Sequence, residues 1–123
     1  MKRYSWFVFT NCTPGDDAAF NDWYDNVHFP DLLKVPGVIA CKRSCLAEPQ
    51  MGNDNGSLFM CGTIEIGAKY RYAACYTFET DDPKWVLEEI LRRAGTPDML
   101  MSETLADAYT ILFEDSFEAV RPS

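Results

Sequence analysis

The sequence holds a single histidine, His28, and Tyr24 precedes it by four residues, so on a helix the two side chains share a face one turn apart. An imidazole with an ordinary pKa of about 6.5 both takes and gives a proton near neutrality, which makes His28 the candidate general acid/base. Tyrosine hydroxyls stabilise an enolate or phenolate oxygen by hydrogen bonding, and Tyr24, Tyr72 and Tyr76 are the candidates for that role. Asp25 and Asp31 stand three residues to either side of His28, and either could orient the imidazole. Two sets of residues follow. His28, Tyr24 and Asp25 form the catalytic set, and Trp6, Phe20, Trp23, Tyr72 and Tyr76 form the substrate-binding set. Each residue type also has a plainer use: aromatics as core or interface, the aspartates as solvated surface acids, and His28 as a helix cap or a carbonyl partner in the turn at Pro30.

Other chemistries are poorly served. One histidine with scattered carboxylates and no CxxC offers no closed ligand set, so no metal site is expected. The chain lacks GxGxxG, GxxxxGK[ST] and GxSxG, which disfavours nucleotide cofactors and serine-hydrolase chemistry, and no cofactor is expected. Five cysteines are an odd number for a disulfide framework. Cys41 and Cys45 would lie about 13 Å apart on a strand, beyond the roughly 7 Å between disulfide Cα atoms. Cys61 and Cys75 read as small buried hydrophobes. The net charge of -8, from 11 basic and 19 acidic residues, repels phosphate backbones and anionic lipids, so neither nucleic acid nor membrane is an expected partner. The N-terminal apolar run, residues 6–9, is shorter than a signal-peptide core, and the cytoplasm is the expected compartment.

The elements that must position these residues follow from periodicity. At 123 residues one domain spanning residues 1–123 is expected. Residues 3–11, RYSWFVFTN, read as a buried strand. From Asp16, apolar residues at Phe20, Trp23, Tyr24 and Val27 recur at helical spacing, and Pro30 should end or kink the helix at Phe29. His28 would then sit at the helix C-terminus, which, with Asp25, favours its cation, while burial among aromatics opposes it. Residues 38–47 read as a second strand, and residues 48–57 as a loop with a tight Asn55-Gly56 turn. Residues 58–66 are strand-like but carry Gly62, which leaves an edge strand, a hairpin arm or a lid open. Residues 70–79 alternate cleanly as a strand, Asp82-Pro83 opens a helix that Gly95 closes, residues 98–105 could add a helical turn or two, and residues 108–113 make the last strand. The order is βαββαβ with an inserted loop or hairpin, a ferredoxin-like α+β fold. Helices on one face leave an aromatic face of the sheet bare, and pairing into a homodimer, as a dimeric α+β barrel, would cover it.

The stretch FNDWYDNVHFPDLLKVPGV, residues 20–38, resembles the first helix and following turn of EthD-like proteins of the dimeric α+β barrel superfamily, in the pattern W-Y-D-x-x-H-x-P-D-L-L-x-V-P-G-V. The resemblance implies the barrel fold, the dimer and a pocket between sheet and helices. The superfamily includes muconolactone isomerases, polyketide cyclases and cofactor-free monooxygenases, so fold alone does not select a reaction. Residues 48–69 are longer here than in simpler relatives. The expectation is a cofactor-independent enzyme, an isomerase, cyclase, dehydratase or lyase, acting on a small aromatic, lactone or polyketide-like substrate. The alternatives are a ligand-binding or accessory protein that uses the same pocket, and a cofactor-free monooxygenase of electron-rich phenols.

Overall fold

A computed structural model describes residues 1–123. Strand β1 (Lys2–Cys12) leads into α1 (Asp17–Trp23), a π-helical turn (Tyr24–His28) and α2 (Phe29–Leu33). There follow β2 (Val38–Cys45), β3 (Gln50–Asp54), β4 (Ser57–Cys61), α3 (Thr63–Ile66), β5 (Tyr72–Thr80), α4 (Pro83–Arg93) and β6 (Leu105–Glu114). The main sheet runs β2-β5-β1-β6 with every neighbouring pair antiparallel, and β3-β4 form a separate two-stranded sheet. With that hairpin set aside, the order is the ferredoxin-like one: two βαβ halves place their first strands, β1 and β5, side by side at the centre.

Alternation along β1 divides its side chains between the two faces of the sheet. Tyr4, Trp6 and Val8 pack under the helices with Phe20, Trp23, Leu32, Tyr76, Phe78, Val86 and Met99. Phe7 and Phe9 point the other way and stack with Phe113, Tyr109 and Tyr70 at centroid separations of 5.8 to 6.5 Å. Tyr109 is 50% and Phe113 52% exposed, so this second face carries aromatics without a covering layer.

Pro30 does not end the first helix, which continues to Leu33. The π-helical turn accommodates it. The Phe29 amide donates to the Tyr24 carbonyl five residues back, and the wider turn takes the carbonyls off the proline ring. The missing N–H of Pro30 then falls in the first turn of α2, where no helical bond is needed. As a result His28 lies inside a continuous helical stretch and not at a helix C-terminus.

Two further expectations change. Residues 98–105 form no helix: Gly95 donates to the Met99 carbonyl, Met99 to that of Thr96, and the Ser102 and Thr104 hydroxyls bond locally, which competes with helical pairing. Residues 48–57, read as a loop, contain strand β3, while in residues 58–66 the hairpin-arm alternative holds for β4, which a short helix follows. Asn55 and Gly56 both take positive φ, 51° and 90°, as a two-residue hairpin turn requires, while Gly62 ends β4 and its amide donates to the Glu65 carboxylate at 2.9 Å. The second main helix matches its reading closely. Asp82 accepts from the Trp85 amide at 3.0 Å, and Gly95 takes φ 83° just beyond the end of α4.

Gly37 makes the turn into β2 with φ 100°, and a Cβ there would stand 2.9 Å from Cγ2 of Val86. Gly37→Ala should therefore lose about 2 kcal/mol of stability through backbone strain and overpacking together. Denaturant unfolding checks this, and an unchanged midpoint would show that α4 shifts freely away from the turn.

Candidate active site

Between the inner face of the sheet, the first helical stretch and α4 lies a cavity of about 470 Å3. Trp6, Val8, Thr10 and Tyr76 form its floor, Trp23, Tyr24 and His28 one wall, and Leu87, Ile90 and Leu91 of α4 the other. Met99 and Met101 from the loop after α4, with Thr110 and Leu112 of β6, complete it. The lining contains no carboxylate, lysine or arginine. Its polar side-chain groups are the imidazole, two phenols, two threonine hydroxyls and the indole N–H groups of Trp6 and Trp23, a few polar groups in an apolar shell, as small-molecule sites have.

The wider π-helical turn brings Tyr24 and His28 together onto this wall. The imidazole stacks on Trp23 at 4.6 Å between centroids and meets the Tyr24 ring edge-on at 5.2 Å. Trp23 is itself held, its indole N–H donating to the Leu100 carbonyl at 2.9 Å. His28 Nδ1 is buried and has no hydrogen-bond partner in the protein. Burial lowers the His28 pKa to about 4, against the opposing pull of Asp31. The imidazole is therefore neutral at neutral pH, and desolvation decides a balance that sequence alone leaves open.

The Tyr76 hydroxyl donates to that of Tyr24 at 3.3 Å, and both are buried. Burial raises both phenol pKa values, so both stay protonated. The remaining residues of the sets lie elsewhere. Phe20 is fully buried and touches the rings of Trp23, Tyr24 and Tyr72 at 5.3 to 6.1 Å, which makes it packing behind the wall. Asp25 accepts from Arg43 Nη1 at 2.9 Å and forms no hydrogen bond with His28. The Tyr72 hydroxyl donates to the Asp17 carboxylate, and this bond holds Asp17 below the usual carboxylate range. Asp25 and Tyr72 line a separate groove of about 850 Å3, bounded by Arg43, Arg71 and the α3 segment.

Thr10, Thr110, Met99 and the α4 leucines were not among the sequence candidates. Alternation along β1 places Thr10 beside Trp6 and Val8 on the inner face, a usable signal; the loop methionines carried none. Burial pushes the Cys41 thiol up to about 11, and all five cysteines are free. No three His, Cys, Asp or Glu side chains stand together as a set that could hold a metal ion, and no helix is long and apolar enough to cross a membrane.

No protein-family model and no curated protein matches the chain. Two solved structures are similar in fold. One is an ethyl tert-butyl ether D (EthD) family protein from Bacillus halodurans C-125, with 17% identity and a TM-score of 0.45 over 94% of this chain and 100% of that one. The other is a candidate monooxygenase from Shewanella loihica PV-4, with 14% identity and a TM-score of 0.48 over 99% of each chain. At these identities both likenesses are of fold alone.

The neutral imidazole has a consequence for stability. In the unfolded chain His28 titrates near 6.5, in the folded one near 4. Above pH 6.5 both states are neutral and the residue adds no pH dependence; as pH falls from 6.5 to 4 the unfolded chain takes the proton first, and stability drops by on the order of 3 kcal/mol. Denaturant midpoints for wild type and His28→Gln should therefore show a steeper fall for wild type across this window. Parallel pH profiles would mean that the imidazole is solvated.

Proposed function

We propose that the chain is a cofactor-independent enzyme, an isomerase, cyclase, dehydratase or lyase, that moves protons on a small aromatic, lactone or polyketide-like substrate. The observation that carries this reading is a neutral imidazole in the wall of an apolar cavity. A neutral imidazole takes a proton from an acidic C–H or O–H of the substrate. As the substrate becomes an enolate or phenolate, the imidazolium gains the opposite charge that burial denied it, and the pair is favoured in a low-dielectric site. The Tyr24 hydroxyl supports the oxyanion. Return of the same proton to another atom completes an isomerisation or ring closure with no change in oxidation state. The absence of charged side chains from the lining favours uncharged substrates.

A second reading has one observation in its favour: beside two phenols that stay protonated, His28 is the one strong proton-transfer group in the cavity lining, as a carrier that binds without turnover would allow. Deuterium exchange from solvent into enolisable bicyclic ketones and aryl lactones, followed by NMR, separates the two. Wild type should catalyse exchange, and His28→Gln should lose about a hundredfold while tryptophan fluorescence still reports binding. Binding without exchange in wild type would favour the carrier, and absence of binding would refute the cavity as a site.

The uncovered aromatic face supports a homodimer in the manner of an α+β barrel, with Phe7, Phe9, Tyr109 and Phe113 at its centre. Sedimentation at micromolar concentration should give a dimer for wild type and a monomer for Phe9→Asp, and a wild-type monomer would refute the pairing.

A further inference from the structure

Arg43 stands outside the cavity yet is tied to its polar wall. Its guanidinium carbon lies 4.5 Å from the centroid of the Tyr24 ring. Nη1 donates to Asp25 and Nη2 to Asn21, each at 2.9 Å, so α1 and the π-helical turn clamp the cation in place. Only 14% of the side chain is exposed, which reduces solvent screening of the contact. On the cavity side, Tyr76 donates its hydroxyl proton to the Tyr24 oxygen. Tyr24's own proton goes to no protein acceptor.

These observations define a direction. A cation against the face of a phenol draws electron density from the ring, and a hydroxyl that already accepts a hydrogen bond becomes a stronger donor. Both effects act on one O–H. We infer that Arg43 is a positioning residue which polarises Tyr24, so that Tyr24 donates to a ligand oxygen acquiring negative charge. The ligand class this selects is a phenol or enolisable ketone, whose oxygen sits at the end of the chain from Tyr76 through Tyr24. This rests on the cavity being the ligand site. Asp25 then acts through Arg43, holding the guanidinium against the ring, and not through His28.

The probe is 4-nitrophenol, whose phenol and phenolate forms absorb at different wavelengths and whose binding quenches tryptophan. The ratio of bound phenolate to phenol should fall about fivefold in Arg43→Met, a change on the scale of a partly buried cation–π contact. Arg43→Lys should recover part of it, and Asp25→Asn, which loosens the clamp while leaving the cation, should give a smaller loss and stands in if Arg43→Met unfolds. In a Tyr24→Phe background the Arg43→Met change should disappear. An equal change in both backgrounds would mean that Arg43 acts by packing or long-range charge, and an unchanged ratio in the Tyr24 background would mean that it does not act at all; either overturns the inference while leaving the cavity intact. No binding by any of the proteins would overturn the cavity reading and this inference with it.

Discussion

A four-stranded sheet presents more inner face than one interrupted helix and one eleven-residue helix can cover, and the rest of this structure follows from how the shortfall is met. Aromatic side chains span the gap where the helices approach the sheet, with Phe20, Phe78 and Tyr76 fully buried. Beyond their reach the layers stand apart, and the space is the cavity. Its walls are the ends of the same side chains that form the core. Core and pocket are thus continuous, and a change in packing at Trp23 or Tyr76 also changes the shape presented to a ligand.

The π-helical turn allows both the helix and the pocket. Without the extra residue, Pro30 would end the helix at Phe29, and Leu32 and Val35 would lose the geometry that buries them under the sheet. With it the helix persists, and the insertion turns Tyr24 and His28 inward together. Such turns carry local strain, and they recur where a side chain must be aimed. Here the side chain aimed is an imidazole whose Nδ1 is left unsatisfied at a cost that packing elsewhere must offset.

Two electrostatic regimes meet at Tyr24. On one side is an apolar cavity that strips water from His28 and the tyrosines and keeps all three uncharged. On the other is a groove with Arg43, Asp25, Arg71 and Tyr72, where charges are paired and partly solvated. The Tyr24 ring is the partition. Residues with ordinary surface behaviour on the groove side, Asp25 among them, can therefore reach the cavity only through the ring or its hydroxyl.

By itself the sequence determined the order of the main-sheet strands and of the helices that cover them, because periodicity, the Asp82-Pro83 start and the Gly95 stop are all local signals. It also named five of the residues around the cavity, since a helix face carrying Tyr24 and His28 and strands alternating Trp6 and Tyr76 can have few other uses. It misjudged the effect of Pro30, the helicity of residues 98–105 and the partner of Asp25. The first depends on a widened turn that no propensity encodes, the second on local hydroxyl and turn bonds that compete with helical pairing, and the third on an arginine from another element. The tertiary structure alone decided that His28 is neutral, that Tyr72 belongs to a different groove from Tyr76, and that Arg43 lies against Tyr24. Desolvation and charge contact act over a few ångströms of space, and nineteen positions of chain separate Tyr24 from Arg43 with nothing in between to announce that folding closes the gap to 4.5 Å.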